Sequence, residues 1–166
     1  MKKIIKARVW KLGDKIDTDR IYPGRYLPIL DPQEMAQHAL EGVDPELHKK
    51  IQPGDILVAG IHFGCGSSRE QAVHCLKALG IACIVAKSFA RIFFRNAIHL
   101  GLPVIECKAA VDPIQQGEEV TIDFEKGILE SAHGIFQFHP FHPMIQEILD
   151  AGGLVPYIKQ KSKGGE

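Results

Sequence analysis

Residues 63–70, Phe-Gly-Cys-Gly-Ser-Ser-Arg-Glu, put two glycines, two adjacent hydroxyls and a guanidinium within one short run. Gly64 and Gly66 let the backbone turn tightly or adopt left-handed conformations, so successive N–H groups can point into one concavity and bind an oxyanion. From Ser67 onward the pattern becomes helical, with Ala72, Val73, Leu76 and Leu79 on one face and Gly80 as the stop. A helix start, Ser67, Ser68 and Arg69 therefore converge, a combination suited to a carboxylate or a phosphate. Ser67 to Glu70 also spells Ser-x-x-Glu, the capping box that merely begins a helix. Capping accounts for one serine and the glutamate, and leaves the glycine pair, the second serine and the arginine without a role.

The elements that must position this run follow from the flanking pattern. Residues 4–10 alternate as a strand, followed by a polar loop over 13–20 and a turn at Pro23-Gly24. Asp31-Pro32-Gln33-Glu34 supplies an N-cap, a proline at the first helical position and an early acid, predicting a short helix to about Leu40. The turn Pro53-Gly54-Asp55 launches a buried strand over 56–60 that runs directly into the glycine loop. Residues 81–86 are uninterruptedly apolar, as in a parallel strand covered on both faces. Ser88 reads as the N-cap of a helix over 89–100, stopped by Gly101 before a strand over 103–107. The middle of the chain is thus β-α-β-α-β with right-handed crossovers. Beyond about residue 111, short antiparallel strands are predicted over 119–124, 127–130 and 135–138, then a helix from Pro143 to Ala151 closed by Gly152-Gly153. Residues 159–166 read as a frayed polar tail. The fold class is α/β, with residues 1–166 as a single domain lacking internal repeats or a linker.

Ligands of open parallel sheets sit beyond the carboxyl ends of the strands. The 63–69 loop lies at such an end, as does Lys87 to Arg91 after the next strand. Arg91 either adds a second positive charge to the site or serves the surface. Asp17-Thr18-Asp19-Arg20 is a third candidate wall.

With 20 basic and 20 acidic residues in 166, the formal charge is zero, and no general pull toward nucleic acid or a membrane surface exists. The start of the chain alternates charged and apolar residues without a signal-peptide core, and no stretch approaches the ~20 apolar residues of a membrane span. A cytoplasmic protein is expected. The four cysteines, Cys65, Cys75, Cys83 and Cys107, form no Cys-x-x-Cys pair and no cluster with histidine, which argues against zinc fingers and disulfide frameworks. Cys75, Cys83 and Cys107 fall in apolar patterns as small buried residues. Cys65 either packs within the glycine loop or is a reactive thiol. His139-Pro-Phe-His142 has a spacing that can hold a metal, but flanking prolines and the absence of a nearby acid or thiol favour a loop.

Three separated motifs carry a resemblance. Asp17-Thr18-Asp19-x-Ile21-x-Pro23-x-x-Tyr26, the 63–70 run, and Ser88-Phe-Ala-Arg-Ile-Phe-Phe-Arg-Asn96 occur in this order, with Trp10-Lys-x-Gly13 before and Ala-Gly-Gly-Leu near the end. Together they resemble the small subunits of isopropylmalate dehydratases and related aconitase-type hydro-lyases over nearly the whole chain. The resemblance implies a three-layer β/β/α swivelling domain that closes over a large subunit carrying a [4Fe-4S] cluster. It implies interconversion of 2- and 3-isopropylmalate by dehydration and rehydration in leucine biosynthesis. By the same resemblance Ser67 is the base that takes the proton from carbon, Arg69, Ser68 and Gly66 hold the substrate carboxylate, and Asp19 and Thr18 help to form the site. No metal ligand is expected in this chain, since cluster ligation needs converging thiolates and the cysteines are dispersed.

The family distinguishes substrates by the segment after the tyrosine, here Leu27, Pro28 and Ile29. Homoaconitase-type chains resemble Tyr-Leu-Arg-Thr there, whereas this chain carries Pro28 at the arginine position. An apolar wall favours an isopropyl group, because burying an extra carboxylate without a cation is costly. The segment also departs from common isopropylmalate loops, which leaves homoaconitate, dimethylmalate or citraconate-type substrates as alternatives. A non-catalytic anion-binding module would have no need of a correctly spaced base. A serine hydrolase would need a Gly-x-Ser-x-Gly elbow, which Gly66-Ser67-Ser68 lacks.

Overall fold

The computed structural model describes residues 1–164 and builds them around one seven-stranded sheet in the order β4-β3-β2-β1-β5-β6-β7. β2 (Ile56–Ala59) and β3 (Cys83–Ala86) are short, wholly apolar and buried at every position, and they pair in parallel between β1 (Ile4–Lys11) and β4 (Val104–Glu106). β1 is shared between two half-sheets. Val9 to Lys11 align with β2, while Ile4 to Arg8 pair antiparallel with β5 (Glu119–Asp123). β6 (Ile128–Ser131) and β7 (Gly134–Gln137) continue that meander.

Side-chain alternation divides the interior into two cores. Ile56, Val58, Cys83, Val85 and Ile105 face the antiparallel half, where Val120, Ile122, Phe124 and Leu129 meet them. Leu57, Ala59, Ile84, Ala86 and Val104 point the other way, into a helical layer. That layer contains α1 (Thr18–Ile21), α2 (Pro32–Ala36), α3 (Leu47–Lys50), α4 (Glu70–Leu79) and α5 (Arg91–His99). α6 (Lys108–Val111) lies with the antiparallel half, whereas α7 (Pro143–Ala151) and α8 (Leu154–Gly164), which follow the meander in the chain, return to the helical layer, where Ile148 and Leu149 join its core. The result is the expected β/β/α stack. No helix among the described residues is long and apolar enough to cross a membrane.

The helix stops agree with the sequence, for Gly80 and Gly152 take left-handed φ of 95° and 92° at the ends of α4 and α7. The helix starts differ in three places. α4 begins at Glu70 with Arg69 at its N-cap and no side-chain cap, so Ser67 does not form a capping box. α5 begins at Arg91 after Ala90; Ser88 instead accepts the His62 N–H at 2.8 Å, tying the loops after β2 and β3 together. The loop over 13–20 contains α1, capped by Asp17, whose carboxylate accepts the Arg20 N–H at 2.8 Å. The tail expected to fray from residue 159 is helical through Gly164. It is held by Glu147 of α7, which accepts from the Tyr157 hydroxyl at 3.0 Å and lies 3.9 Å from Lys161. Residues 165–166 of that tail lie outside the described residues.

Candidate active site

Three loops meet at the carboxyl ends of β1, β2 and β3. The Thr18 N–H donates to the Cys65 carbonyl and the Gly64 N–H to the Ile16 carbonyl, both at 2.8 Å. On the other side the Phe63 N–H donates to Ser88 and the Ala90 N–H to Phe63, at 3.0 and 2.9 Å. The glycine loop is therefore stitched to both neighbours by backbone groups that would otherwise be unpaired. Gly64 has φ +82°, and a Cβ there would fall 2.2 Å from the Phe93 side chain. Phe93 packs edge-on against Phe63 at 5.2 Å between ring centroids, forming a rigid floor. Gly66, at φ +100°, leaves room for Thr18, whose Oγ1 would lie 3.2 Å from a Cβ.

Above this floor is a depression of about 170 Å³ lined by Thr18, Gly66, Ser67, Ser68, Arg69, Arg91 and Asn96, among others. Both serines are exposed to it, whereas Thr18 is only 3% exposed. Thr18 Oγ1 sits 3.3 Å from Ser67 Oγ. A hydroxyl in that position can donate to Ser67 and favour its deprotonated form. Arg69 extends toward α1, where its Nη1 donates to Asp19 Oδ1 at 2.9 Å and to the Tyr22 carbonyl at 3.1 Å. Asp19 Oδ1 also accepts the Gly24 N–H at 3.0 Å. The hydrogen bond from Arg69, reinforced by that from Gly24, holds the Asp19 carboxyl below the usual carboxylate range. One nitrogen of the guanidinium is thus occupied in fixing its direction, and Nη2 passes close over Gly24, where a Cβ would lie 3.3 Å away.

The residues read from the sequence are not all brought together. Gly66, Ser67, Ser68, Arg69 and Thr18 line one depression, and Asp19 joins it through Arg69. Leu27, Pro28 and Ile29 do not line it. Leu27 and Pro28 are exposed and Ile29 is half-buried against the helical core. Their connection runs through Tyr22, whose carbonyl accepts from Arg69 and whose hydroxyl donates to the Tyr26 carbonyl at 2.7 Å. Arg91 does reach the depression, and Asn96, assigned no role from the sequence, accompanies it. The available signal for both was their place on a helix that starts at the same sheet edge.

A larger cavity of about 460 Å³ adjoins this site at Arg91 and is walled by Phe89, Phe94, Val104, Phe141 and Ile145, with Glu106, His139 and His142 at its margin. It contains neither hydroxyl nor thiol. His142 Nδ1 accepts the Met144 N–H at 3.2 Å and so caps α7. Cys65 is half-buried in the glycine loop, where its carbonyl, as noted, anchors Thr18. Burial pushes the Cys75 and Cys83 thiols far up, so neither is a thiolate near neutrality. Among the described residues no three His, Cys, Asp or Glu side chains come together as metal ligands, and the thiols do not fit an iron-sulfur cluster.

Known proteins share this architecture. The family described as the aconitase C-terminal domain matches residues 14–110. The isopropylmalate/citramalate isomerase small subunit of Methanocaldococcus jannaschii is 48% identical over 163 residues, covering 97% of each chain. The 3-isopropylmalate dehydratase small subunit of Caldicellulosiruptor saccharolyticus is 51% identical over 162 residues, covering 96% of this chain and 94% of that one. The crystal structure of 3-isopropylmalate dehydratase from M. jannaschii superposes with a TM-score of 0.90 at 46% identity, covering 96% of this chain and 95% of the other.

Proposed function

The chain belongs to the aconitase C-terminal domain family, and on that premise we propose that it is the small subunit of a two-chain hydro-lyase interconverting 2- and 3-isopropylmalate in leucine biosynthesis. The observation that carries the reading is the convergence of Ser67, Thr18 and Arg69 on one depression, in a chain of which relatives sharing about half its residues are named 3-isopropylmalate dehydratase small subunit.

Ser67 takes the proton from the carbon next to the one bearing the hydroxyl. The C–H electrons form the double bond as hydroxide departs; hydroxide then adds to the carbon that lost the proton, while Ser67 returns its proton to the carbon that lost the hydroxyl. A serine is a weak base at its free pKa, so the alkoxide needs a stabilising environment. The buried Thr18 hydroxyl donates to it, and the positive guanidinia of Arg69 and Arg91 lie around the same depression. Ser68, the Gly66 backbone and Arg69 receive a substrate carboxylate, while Asp19 fixes the guanidinium. The [4Fe-4S] cluster belongs to the large subunit in this reading, and supplies there a Lewis acid for the departing hydroxyl. The chain is a cytoplasmic partner of that subunit, with a small branched dicarboxylate as substrate.

One observation favours a second substrate of the same class. Leu27, Pro28 and Ile29 do not line the depression, and the M. jannaschii relative is named for both isopropylmalate and citramalate. Citramalate presents a methyl group where 2-isopropylmalate presents an isopropyl group, and apolar contacts alone discriminate weakly between substituents differing by a few methyl or methylene groups.

The test is anaerobic reconstitution with the large subunit and measurement of isopropylmalate interconversion. Activity is expected only from the mixture. Robust isomerase activity from this chain alone, or none from the mixture with either acid, overturns the reading.

A further inference from the structure

The depression has two sides of different character. On the glycine-loop side Thr18, Ser67 and Arg69 each have a partner within the chain: Thr18 Oγ1 sits 3.3 Å from Ser67 Oγ, and Arg69 donates to Asp19 and to the Tyr22 carbonyl. The other side belongs to α5 and the residue before it, through Ala90, Arg91, Ile92, Phe93 and Asn96. Here the polar groups are free. Arg69 has a carboxylate of its own in Asp19, whereas Arg91 has none among the described residues; Glu106 shares the adjoining cavity with it but forms no ion pair. Among the same residues the half-buried Asn96 carboxamide has no hydrogen-bond partner, and only the Asn96 backbone carbonyl is engaged, by the Leu100 N–H at 2.9 Å.

The helix holds Asn96 firmly in that wall. Phe93, one turn earlier, is 2% exposed and packs on Phe63 and Phe89, and Ala97, the next residue, is fully buried in the helical core. Asparagine is a poor residue for a helix interior, because its side chain competes for backbone bonds, and Asn96 is neither a cap nor a turn residue of α5. A locally disfavoured polar residue on the wall of a site points to a use beyond folding. A carboxamide offers two N–H donors without charge, and the guanidinium on the same wall supplies the charge. No acidic residue of α5 opposes an anion there. A malate-type acid carries two carboxylates, and Ser68, Gly66 and Arg69 account for one.

We infer that Asn96 and Arg91 are the substrate-binding residues for the second carboxylate of the malate, Asn96 donating through its carboxamide and Arg91 supplying the positive charge. The inference rests on the hydro-lyase reading above for the identity of the acid, but not for the binding of a dicarboxylate. Held from both sides of the depression, the carbon chain takes one orientation relative to Ser67. An acid with a single carboxylate is held at one point only and gains no such alignment.

The experiment compares succinate with butyrate, which differ by one carboxylate. Calorimetry on the anaerobically assembled complex with the large subunit gives the affinity for each, and steady-state kinetics give KM for 3-isopropylmalate. Wild type should prefer succinate by about tenfold or more. Asn96→Ala should reduce that preference by roughly threefold to tenfold and Arg91→Gln by about tenfold, with KM rising in parallel. Asn96→Asp keeps the shape but sets a negative charge against the carboxylate, so it should do more harm than Asn96→Ala. A structural role for Asn96 would reverse that order, since aspartate is the closer replacement, and the reversal overturns the inference. A preference unchanged within twofold in Asn96→Ala or in Arg91→Gln also overturns it. Arg91 is exposed, so its variant decides the matter even if the Asn96 variants do not assemble. If wild type prefers succinate but turns over no isopropylmalate, the hydro-lyase reading fails while the variants still test the carboxylate site; if wild type has no preference for succinate, the inference fails whatever the turnover.

Discussion

The Thr18 hydroxyl lies 3.3 Å from the Ser67 hydroxyl although 49 residues separate them, and the first is buried while the second is open to the depression. In the proposed hydro-lyase reading one oxygen faces the substrate as the base, and the other, held dry behind it, can donate to it. Gly66 permits the approach, since a side chain there would crowd Thr18 Oγ1.

Ser67→Ala should lower kcat of the reconstituted enzyme by roughly a hundredfold or more with little change in KM, the scale of a lost general base. Thr18→Val removes the donor while keeping the shape, and should lower kcat by about tenfold, one neutral hydrogen bond's worth. Steady-state kinetics of both variants check this. Near-normal turnover of Ser67→Ala with only a lower melting temperature would leave Ser67 as loop structure.

Arg69 meets Asp19 and the Tyr22 carbonyl through one nitrogen, leaving the rest of its planar fork to a carboxylate. Arg69→Lys keeps the charge and loses the fork, so KM should rise by roughly tenfold with a smaller change in kcat. A variant with unaltered KM would remove Arg69 from substrate binding and leave it as the partner of Asp19.

Much of this site was legible because its parts are local. Gly64, Gly66, Ser67, Ser68 and Arg69 fall within six consecutive residues, and the uniformly apolar 56–59 and 83–86, bounded by turn residues, read as strands covered on both faces. Helix starts were read less well. Ala72, Val73 and Leu76 fix the buried face of α4 but not the residue where it begins, and the backbone bonds around Gly64 and Cys65 keep Ser67 in the loop. Ser88 had the composition of a cap, but its hydroxyl is taken by the His62 N–H from a loop 26 residues away. The same holds for α8, whose Tyr157 and Lys161 needed Glu147 on another helix. Contacts distant in sequence, including Thr18 with Ser67 and Glu41 with Tyr26, leave no periodic trace.

A buried carboxylate outside the depression should contribute to acid stability. Asp55 is 6% exposed and accepts from Trp10 Nε1 at 2.7 Å, the Gln52 N–H at 2.9 Å and Arg8 at 3.0 Å. Burial pushes its carboxyl up, but the Gln52, Trp10 and Arg8 donors outweigh burial and leave it below the ordinary value of 3.8. A depressed folded-state value means the unfolded chain binds the proton more tightly. The contribution is therefore complete above about pH 4 and is lost as pH falls through the folded-state value. Asp55→Asn should cost about 2 kcal/mol at pH 7, and the gap to wild type should narrow below about pH 4, as followed by thermal unfolding against pH. A constant gap at every pH would assign the loss to packing instead of charge.

Pro28 tests where discrimination resides. It is exposed and does not line the depression, so an arginine can be introduced there without displacing a buried side chain. Related chains that handle a third carboxylate resemble this one with arginine at that position. Pro28→Arg supplies a long cation on the flank joined to Arg69 through Tyr22, and one charged hydrogen bond is worth about 1.5 to 3 kcal/mol. The ratio of kcat/KM for homoaconitate to that for isopropylmalate should therefore rise by roughly tenfold to a hundredfold. Loss of the proline also frees the loop and lowers both activities, which is why the ratio and not either rate is the quantity to measure. Wild-type enzyme that already turns over homoaconitate as well as isopropylmalate, with Pro28→Arg leaving the ratio untouched, would take substrate choice away from 27–29 and place it on walls contributed by the large subunit.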